Sequence, residues 1–222
     1  MKLAEAKERI MEYVGRPFSG LFQGPSDDWI VNKGKVGQAL EIALGLQNTP
    51  NPLDFEDGEL KTNKCDRFGN PLETVFISQI LSEIDDMFME APFEGSHLCE
   101  KISNILYVPV CKEGAPEDWM FLSPIHIDLS RPEFASLKQI WREDYYSICA
   151  QLKKHVETSP DGFIHTSNGM HIQVRSKDSK PYHPIYSNVY GRYVSNKNHA
   201  YYFQKQFVAD VKAVGGGASC SR

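Results

Sequence analysis

The stretch that most constrains this chain is residues 54–61, DFEDGELK. It ends in a carboxylate, one apolar residue and a lysine: Glu59, Leu60 and Lys61. On an extended strand, alternate side chains point to opposite faces, so Glu59 and Lys61 share one face and Leu60 takes the other. The stretch therefore predicts a strand of a small sheet, with a charged face directed at a substrate and an apolar face directed at a core.

The residue types on the charged face suit hydrolysis of a phosphodiester. Such hydrolysis needs a metal ion that neutralises developing charge and activates a water molecule. Mg²⁺ prefers oxygen ligands, often one or two carboxylates with water and substrate phosphate, and Mn²⁺ is a possible substitute. We predict Asp54 and Glu59 as metal ligands and Lys61 as the cation that orients the water. Asp57 is the alternative to Asp54, although it lies only two residues before Glu59.

A helix precedes this strand in the sequence. Apolar residues recur at a helical spacing over residues 34–45, at Val36, Leu40 and Leu44. Glu41 follows Leu40 in that pattern, and we expect it to add a third carboxylate to the site.

Several further motifs resemble the MutH family when they are taken together with this strand. They are VGQALEIALG, LDF, ELKT, GNPLETVF and HLCEKISNILYVPV, and they occur in the family's order across about residues 30–210. The family comprises a mismatch-repair nicking endonuclease and relatives among the GATC-cutting restriction enzymes. The resemblance implies a restriction-endonuclease-like α/β fold of the PD-(D/E)xK type, with a mixed sheet flanked by helices in a two-lobed clamp.

The resemblance also implies roles for residues outside the first strand. Lys101 matches a lysine that approaches the phosphate at the active site. Positions that the family uses to contact DNA are matched by Glu73, Phe76, Arg175, Lys177, Tyr202 and Lys205. Two residues depart from the mismatch-repair pattern, Ser176 in place of proline and Gln204 in place of lysine, so the recognition sequence and the response to adenine methylation do not simply carry over.

The charge distribution fits a polyanionic partner better than the net charge of −5 suggests. Residues 151–222 hold 10 Lys and Arg against 4 Asp and Glu, whereas residues 1–150 hold 14 against 25. A basic C-terminal third suits DNA binding. The five cysteines are scattered without a C-x-x-C pair, which indicates reduced thiols and a cytoplasmic protein, associated with the nucleoid while acting.

The remaining pattern predicts the main elements. We expect helices at residues 3–14 and 134–156, strands at 71–80, 105–110, 118–122, 170–177 and 201–207, and a turn at 48–52. Residues 97–101 read as a charged lead-in to the strand at 105–110. We predict one endonuclease domain over residues 1–212, with a catalytic lobe at 1–130, a DNA-reading lobe at 131–212 and a flexible tail at 213–222.

These observations lead to a Mg²⁺-dependent, sequence-specific endonuclease of double-stranded DNA. The first hypothesis is a type II restriction enzyme with a cognate DNA methyltransferase encoded nearby. The alternative is a mismatch-repair nickase that acts on unmethylated GATC and is activated by a MutL-like partner. Two other classes remain open: a DNA-binding module without catalysis, and a metal hydrolase of small phosphoesters. We expect no membrane association, since no apolar run approaches 18 residues.

Overall fold

The computed structural model describes residues 1–22, 35–46, 52–177 and 180–216. The predicted turn at 48–52 lies outside these ranges except for Pro52. Of the tail predicted at 213–222, residues 213–216 are the end of a helix, and residues 217–222 lie outside the described ranges. The chain divides into two compact units that alternate along the sequence. The first unit contains Met1–Val75, Ile102–Ser130 and Val208–Arg222, and the second contains Phe76–Lys101 and Arg131–Phe207.

The first unit contains a four-stranded mixed sheet. Its strands are β1 (Glu59–Cys65), β3 (Asn104–Cys111), β4 (Met120–Phe121) and β5 (Ile125–Asp128). Strand β3 is central: it pairs in parallel with β1 and antiparallel with β4 and β5. Helices α1 (Leu3–Ile10) and α2 (Lys35–Ala43) contribute to the core of this unit. Leu60 is buried in that core with Leu40 and Leu106, so the apolar face of β1 is anchored as its alternation predicts.

The second unit is organised around another four-stranded sheet and one long helix. The strand order is β2 (Val75–Gln79), β10 (Asn198–Phe203), β7 (Ile172–Lys177) and β6 (Ser167–Asn168). Strands β8 (Ile185–Ser187) and β9 (Arg192–Ser195) form a separate hairpin. The long helix α5 (Ala135–Thr158) buries Trp141, Tyr145 and Leu152. Two short helices, α3 (Ile84–Phe88) and α4 (His97–Ile102), precede it. Helix α6 (Gln206–Gly216) follows β10, and from Val208 onward it belongs to the first unit.

Most predicted elements are confirmed with small shifts of their ends. The helices predicted at 3–14, 34–45 and 134–156 correspond to α1, α2 and α5, and the strands predicted near 105–110 and 170–177 correspond to β3 and β7. A strand of two residues, β4, occupies the region predicted as a strand at 118–122.

One segment has a secondary structure that the sequence did not predict, and one predicted strand ends earlier than predicted. Residues 97–101 form a helix because the hydroxyl oxygen of Ser96 accepts the N–H of Cys99 at 3.0 Å and caps the first turn. The strand predicted at 201–207 ends at Phe203, and the ring of Phe207 stacks on that of Phe203 with centroids 4.2 Å apart. Lys205 therefore lies in the turn between β10 and α6. Within the described ranges, no helix is long and apolar enough to cross a membrane.

Candidate functional site

Strand β1 presents the two charged residues that the sequence singles out. Glu59 is 3% exposed, and its carboxylate Oε1 lies 2.8 Å from the ammonium of Lys61. The side chains lie on one face of the strand, as the two-residue period requires. Gly58 before them is required sterically, because a Cβ atom there would lie 2.6 Å from the carbonyl oxygen of Asn104. The pair is thus held at the start of a buried strand.

The two aspartates before the strand have different partners. Asp54 accepts the backbone N–H of Leu60 through Oδ2 at 2.9 Å, which fixes its carboxylate beside the start of β1. Asp57 accepts the backbone N–H of Leu3 through Oδ1 at 2.7 Å, at the first turn of helix α1. Asp57 therefore acts as an N-terminal cap for α1. This division of roles favours Asp54 over Asp57 as the metal ligand.

Glu41 reaches the same cluster from helix α2. A Cβ atom at Gly37 would lie 3.1 Å from the hydroxyl oxygen of Thr62, so the glycine lets α2 approach β1 closely. Glu41 lies one helical turn after Gly37, on the same side of α2. Burial raises the pKa of Glu41, the negative charges of Asp54 and Glu59 raise it further, and the positive charge of Lys61 opposes them. Glu41, Asp54, Glu59 and Lys61, the four predicted catalytic residues of the first unit, therefore interact electrostatically.

The arrangement has the donor chemistry of a magnesium site. Carboxylates that repel one another, with a single lysine among them, are stabilised when a divalent cation is added. In the described part of the chain, no three Asp, Glu, His or Cys side chains are grouped so that they could hold a metal ion by themselves. Mg²⁺ does not need three such ligands, because it usually keeps several waters and takes one or two carboxylates with substrate phosphate. The carboxylates of this cluster are therefore suited to bind Mg²⁺.

A second cluster lies on the sheet of the second unit. It consists of two cations, each placed over an aromatic ring. The guanidinium of Arg175 lies 4.3 Å from the ring centroid of Tyr202, and the ammonium of Lys177 lies 5.0 Å from the ring centroid of Phe76. The rings of Phe76 and Tyr202 pack edge to face at 5.6 Å. We call these four residues the cationic face. Phe76 is 39% exposed, which is unusual for a phenylalanine on a strand and leaves part of the ring accessible.

Strand β7, which carries Arg175 and Lys177, is anchored by a residue that the sequence reasoning missed. Asp144 on α5 is 4% exposed, and its carboxylate accepts the backbone N–H groups of Met170, His171 and Ile172 at 2.5, 2.8 and 2.8 Å. A signal was present, because Asp144 lies three residues after Trp141, inside the apolar stripe of a long helix. An acid in that position needs buried donors.

The other predicted site residues are Glu73, Lys101 and Lys205. Glu73 belongs to the first unit, where its backbone carbonyl accepts the side-chain amide of Asn63 at 3.0 Å. Lys101 belongs to the second unit, on α4. Lys205 is exposed in the turn after β10. Their predicted roles stay predictions.

Comparisons with known proteins agree with the motifs. The chain is 28% identical over 220 residues to the DNA mismatch repair protein MutH of Vibrio campbellii, covering 94% of this chain and 92% of that protein. It is 29% identical to the protein of the same name from Actinobacillus pleuropneumoniae over 81% of this chain. A match to the Shewanella woodyi protein is 32% identical and covers about half of each chain, 50% and 49%.

No protein-family model matches the chain. The curated relatives, together with the mixed α/β architecture and its helix-flanked sheets, imply the restriction-endonuclease-like fold that the sequence predicts.

Proposed function

From the assignment of this chain to the MutH family, which its curated relatives support, we propose that it is a Mg²⁺-dependent endonuclease that nicks double-stranded DNA at GATC in mismatch repair. One observation carries the chemical part of the proposal. Asp54, Glu59 and Lys61 meet at the start of one buried strand, as hydrolysis of a phosphodiester requires.

Each residue of this cluster has a distinct task. Asp54 and Glu59 would hold Mg²⁺, which supplies charge neutralisation at the phosphate and lowers the pKa of a bound water. Lys61 orients the attacking water, since its ammonium is held by Glu59 at the edge of the site. Glu41 supports the cluster from α2, and its raised pKa lets it accept or return a proton closer to neutral pH than an ordinary glutamate.

The cationic face is the proposed DNA-contacting surface of the second unit. The guanidinium of Arg175 can bind a phosphate or the O6 and N7 atoms of guanine in a bidentate manner. Its contact with the ring of Tyr202 restricts the guanidinium to one plane, which reduces the entropy lost on binding. Lys177 adds a second positive charge on the same strand.

The curated relatives favour the hypothesis of a mismatch-repair nickase over that of a restriction enzyme. All three described above carry the name DNA mismatch repair protein MutH, and the match to the Vibrio campbellii protein spans nearly the whole chain. A repair nickase would cut one strand and depend on a MutL-type activator. The partner of a restriction enzyme, a DNA methyltransferase, has no support among these relatives.

The test uses supercoiled plasmids that contain GATC, prepared with and without adenine methylation. Each is incubated with the protein in Mg²⁺ or EDTA, with and without a purified MutL-type activator. We expect nicked circles from unmethylated plasmid in Mg²⁺, at a rate that the activator increases. Linear fragments without an activator would instead establish a restriction enzyme. Nicking that persists in EDTA would contradict the magnesium site.

A further inference from the structure

A buried carboxyl group with no assigned role lies behind the cationic face. Glu83 ends the short 3₁₀ helix Leu81–Glu83 that follows β2, and it is only 5% exposed. Its Oε1 atom has no hydrogen-bond partner within the described part of the chain. A buried glutamate that lacks a full set of partners is costly when it is charged, so this position calls for an explanation.

Backbone N–H groups at the start of α4 donate to Glu83, but the side chains around it stabilise a negative charge only weakly. Tyr201 on β10 donates its hydroxyl to the sulfur of Met87 at 3.1 Å, a weak acceptor. The hydroxyl of Tyr145 on α5 has no partner among the described residues. Asp86 on α3 interacts electrostatically with Glu83. The thiol of Cys149 on α5 does so as well, but burial raises the pKa of this thiol to about 12, so it is uncharged near neutral pH.

The surroundings of Glu83 hold the pKa of its carboxyl group well above the usual range of a glutamate. Burial raises the pKa of Glu83 to about 7, and the charge of Asp86 adds to this effect. The backbone N–H groups of Leu98 and His97 at the start of α4, together with the Tyr201 hydroxyl, oppose it without overcoming it. The His97 side chain itself pairs with Glu100, whose carboxylate is 3.4 Å away. Glu83 therefore changes charge close to neutral pH.

Strand β10 connects this cluster to the cationic face. Tyr201 interacts with Glu83, and its neighbour Tyr202 belongs to the cationic face. Adjacent residues of a strand point to opposite sides of the sheet, so Glu83 lies behind the strand whose front carries Tyr202. A negative charge in this buried position weakens the attraction of the front face for a polyanion, because little water screens it. It also offers the Tyr201 hydroxyl a stronger acceptor than sulfur.

We propose that Glu83 is a positioning residue for the cationic face and that DNA binding is coupled to protonation of its carboxyl group. The inference rests on the proposed DNA-binding function of that face. By reciprocal linkage, protonated Glu83 favours bound DNA, and bound DNA favours protonated Glu83. Affinity for DNA therefore decreases as the pH rises through the titration of Glu83.

Two measurements on the full chain test this proposal. The first follows the side-chain carboxyl of Glu83 in the free protein by carbon NMR, with assignment by comparison with Glu83→Gln. The second measures the affinity for a fluorescent GATC duplex in Ca²⁺ between pH 6 and pH 9. We expect wild-type affinity to fall by about three- to tenfold more than that of Glu83→Gln, the size expected for charges separated by one sheet.

Controls separate this effect from other titrations. Histidines also lose positive charge over this range, so the slopes of wild type and variant are compared rather than the absolute affinities. Glu143→Gln removes an exposed carboxylate from α5, the helix that carries Tyr145, and should retain the wild-type slope. Tyr201→Phe removes a donor that favours ionised Glu83 and should move the loss of affinity to higher pH, which keeps the test open if Glu83→Gln does not fold.

The outcomes are distinct. Titration of Glu83 in the ordinary carboxyl range, or parallel slopes for wild type and Glu83→Gln, would overturn the inference. A wild-type protein that binds no duplex even at pH 6 would contradict the proposed function and this inference with it. The carboxyl titration, which needs no DNA, then shows whether the unusual proton affinity of Glu83 exists independently.

Discussion

At the scale of single residues, neighbouring acidic side chains have different roles because they accept hydrogen bonds from different donors. Asp54 accepts the N–H of Leu60 beside the charged cluster, whereas Asp57 caps helix α1 through the N–H of Leu3. The sequence alone left both open as metal ligands. The partners distinguish them, because a carboxylate committed to a helix end is a poorer ligand than one beside Glu59.

Substitutions at these two positions should therefore separate activity from stability. Asp54→Asn keeps an oxygen for the Leu60 N–H but loses the charge, so we expect nicking in Mg²⁺ to fall at least about a hundredfold with little change in stability. Asp57→Ala removes a cap and should cost about 1 kcal/mol of unfolding free energy while nicking continues. Urea denaturation measures stability, and plasmid nicking measures activity. If Asp57 were the metal ligand instead of Asp54, Asp57→Ala would lose nicking and Asp54→Asn would retain it.

Glu83 should make stability depend on pH in a direction unusual for an acid. Burial raises its pKa to about 7 in the folded protein, against 4.5 for an ordinary glutamate. The folded state thus holds a proton that the unfolded state releases between these values, so stability is full below about pH 4.5 and is lost as the pH rises toward 7. We expect the unfolding free energy of the wild type to fall by on the order of 3 kcal/mol between pH 5 and pH 8, and Glu83→Gln to lack this decrease. Urea denaturation at several pH values measures both. Parallel profiles for wild type and variant would contradict this expectation.

At the scale of elements, the long helix α5 and the strand β7 are joined by one carboxylate. Asp144 accepts three consecutive backbone N–H groups where the chain enters β7. The start of the strand that carries Arg175 is thereby fixed to the most buried face of the helix. The cationic face depends on this junction for its position.

Asp144→Ala should loosen that junction. Three N–H groups would lose their acceptor, and we expect a cost of about 3 to 5 kcal/mol in unfolding free energy. Faster hydrogen exchange at Met170, His171 and Ile172 would locate the effect. Glu143→Ala, at the exposed neighbouring position, is the matched control and should change stability by less than about 0.5 kcal/mol.

Periodic elements were predictable from the sequence, whereas short elements were not. Helix α5 repeats its apolar pattern over 24 residues, so its signal is strong. Helix α4 has only six residues, and its main signal, the Ser96 cap, is local. The end of β10 depends on the packing of Phe207 on Phe203, which a strand pattern does not reveal. Tertiary contacts decide such boundaries.

The candidate site was predictable to the same extent. The spacing of Glu59 and Lys61 defines a shared face on any strand, so that pair followed from the sequence. Asp144 and Glu83 could not be assigned roles, because the backbone groups that Asp144 accepts lie 26 to 28 residues further along the chain, and Tyr201 lies 118 residues after Glu83. The close approach at Gly37 likewise exists only in the folded structure.

At the scale of the whole molecule, the charges are segregated along the chain. The net charge is −5, yet residues 151–222 carry 10 Lys and Arg against 4 Asp and Glu. Attraction to DNA therefore depends on a basic part of the chain in an acidic protein. Such binding releases counterions and weakens as salt is added.

The salt dependence should reveal the contribution of the cationic face. We expect Arg175→Ala to weaken duplex binding and to reduce the slope of log affinity against log salt by about 1. Lys154→Ala, which removes an exposed charge from α5, should leave the slope nearly unchanged. Fluorescence anisotropy in Ca²⁺ at several salt concentrations measures both. Equal effects of the two substitutions would contradict a specific role for Arg175.

The most direct test of the proposed catalytic site compares two lysines of strand β1. Lys61 lies beside Glu59, whereas Lys64 is exposed three residues further along β1. With unmethylated GATC plasmid, Mg²⁺ and a MutL-type activator, we predict that Lys61→Ala loses nicking by at least about a hundredfold while binding DNA in Ca²⁺ like wild type. Lys64→Ala should nick normally. Retained nicking by Lys61→Ala would contradict the assignment of catalysis to this strand.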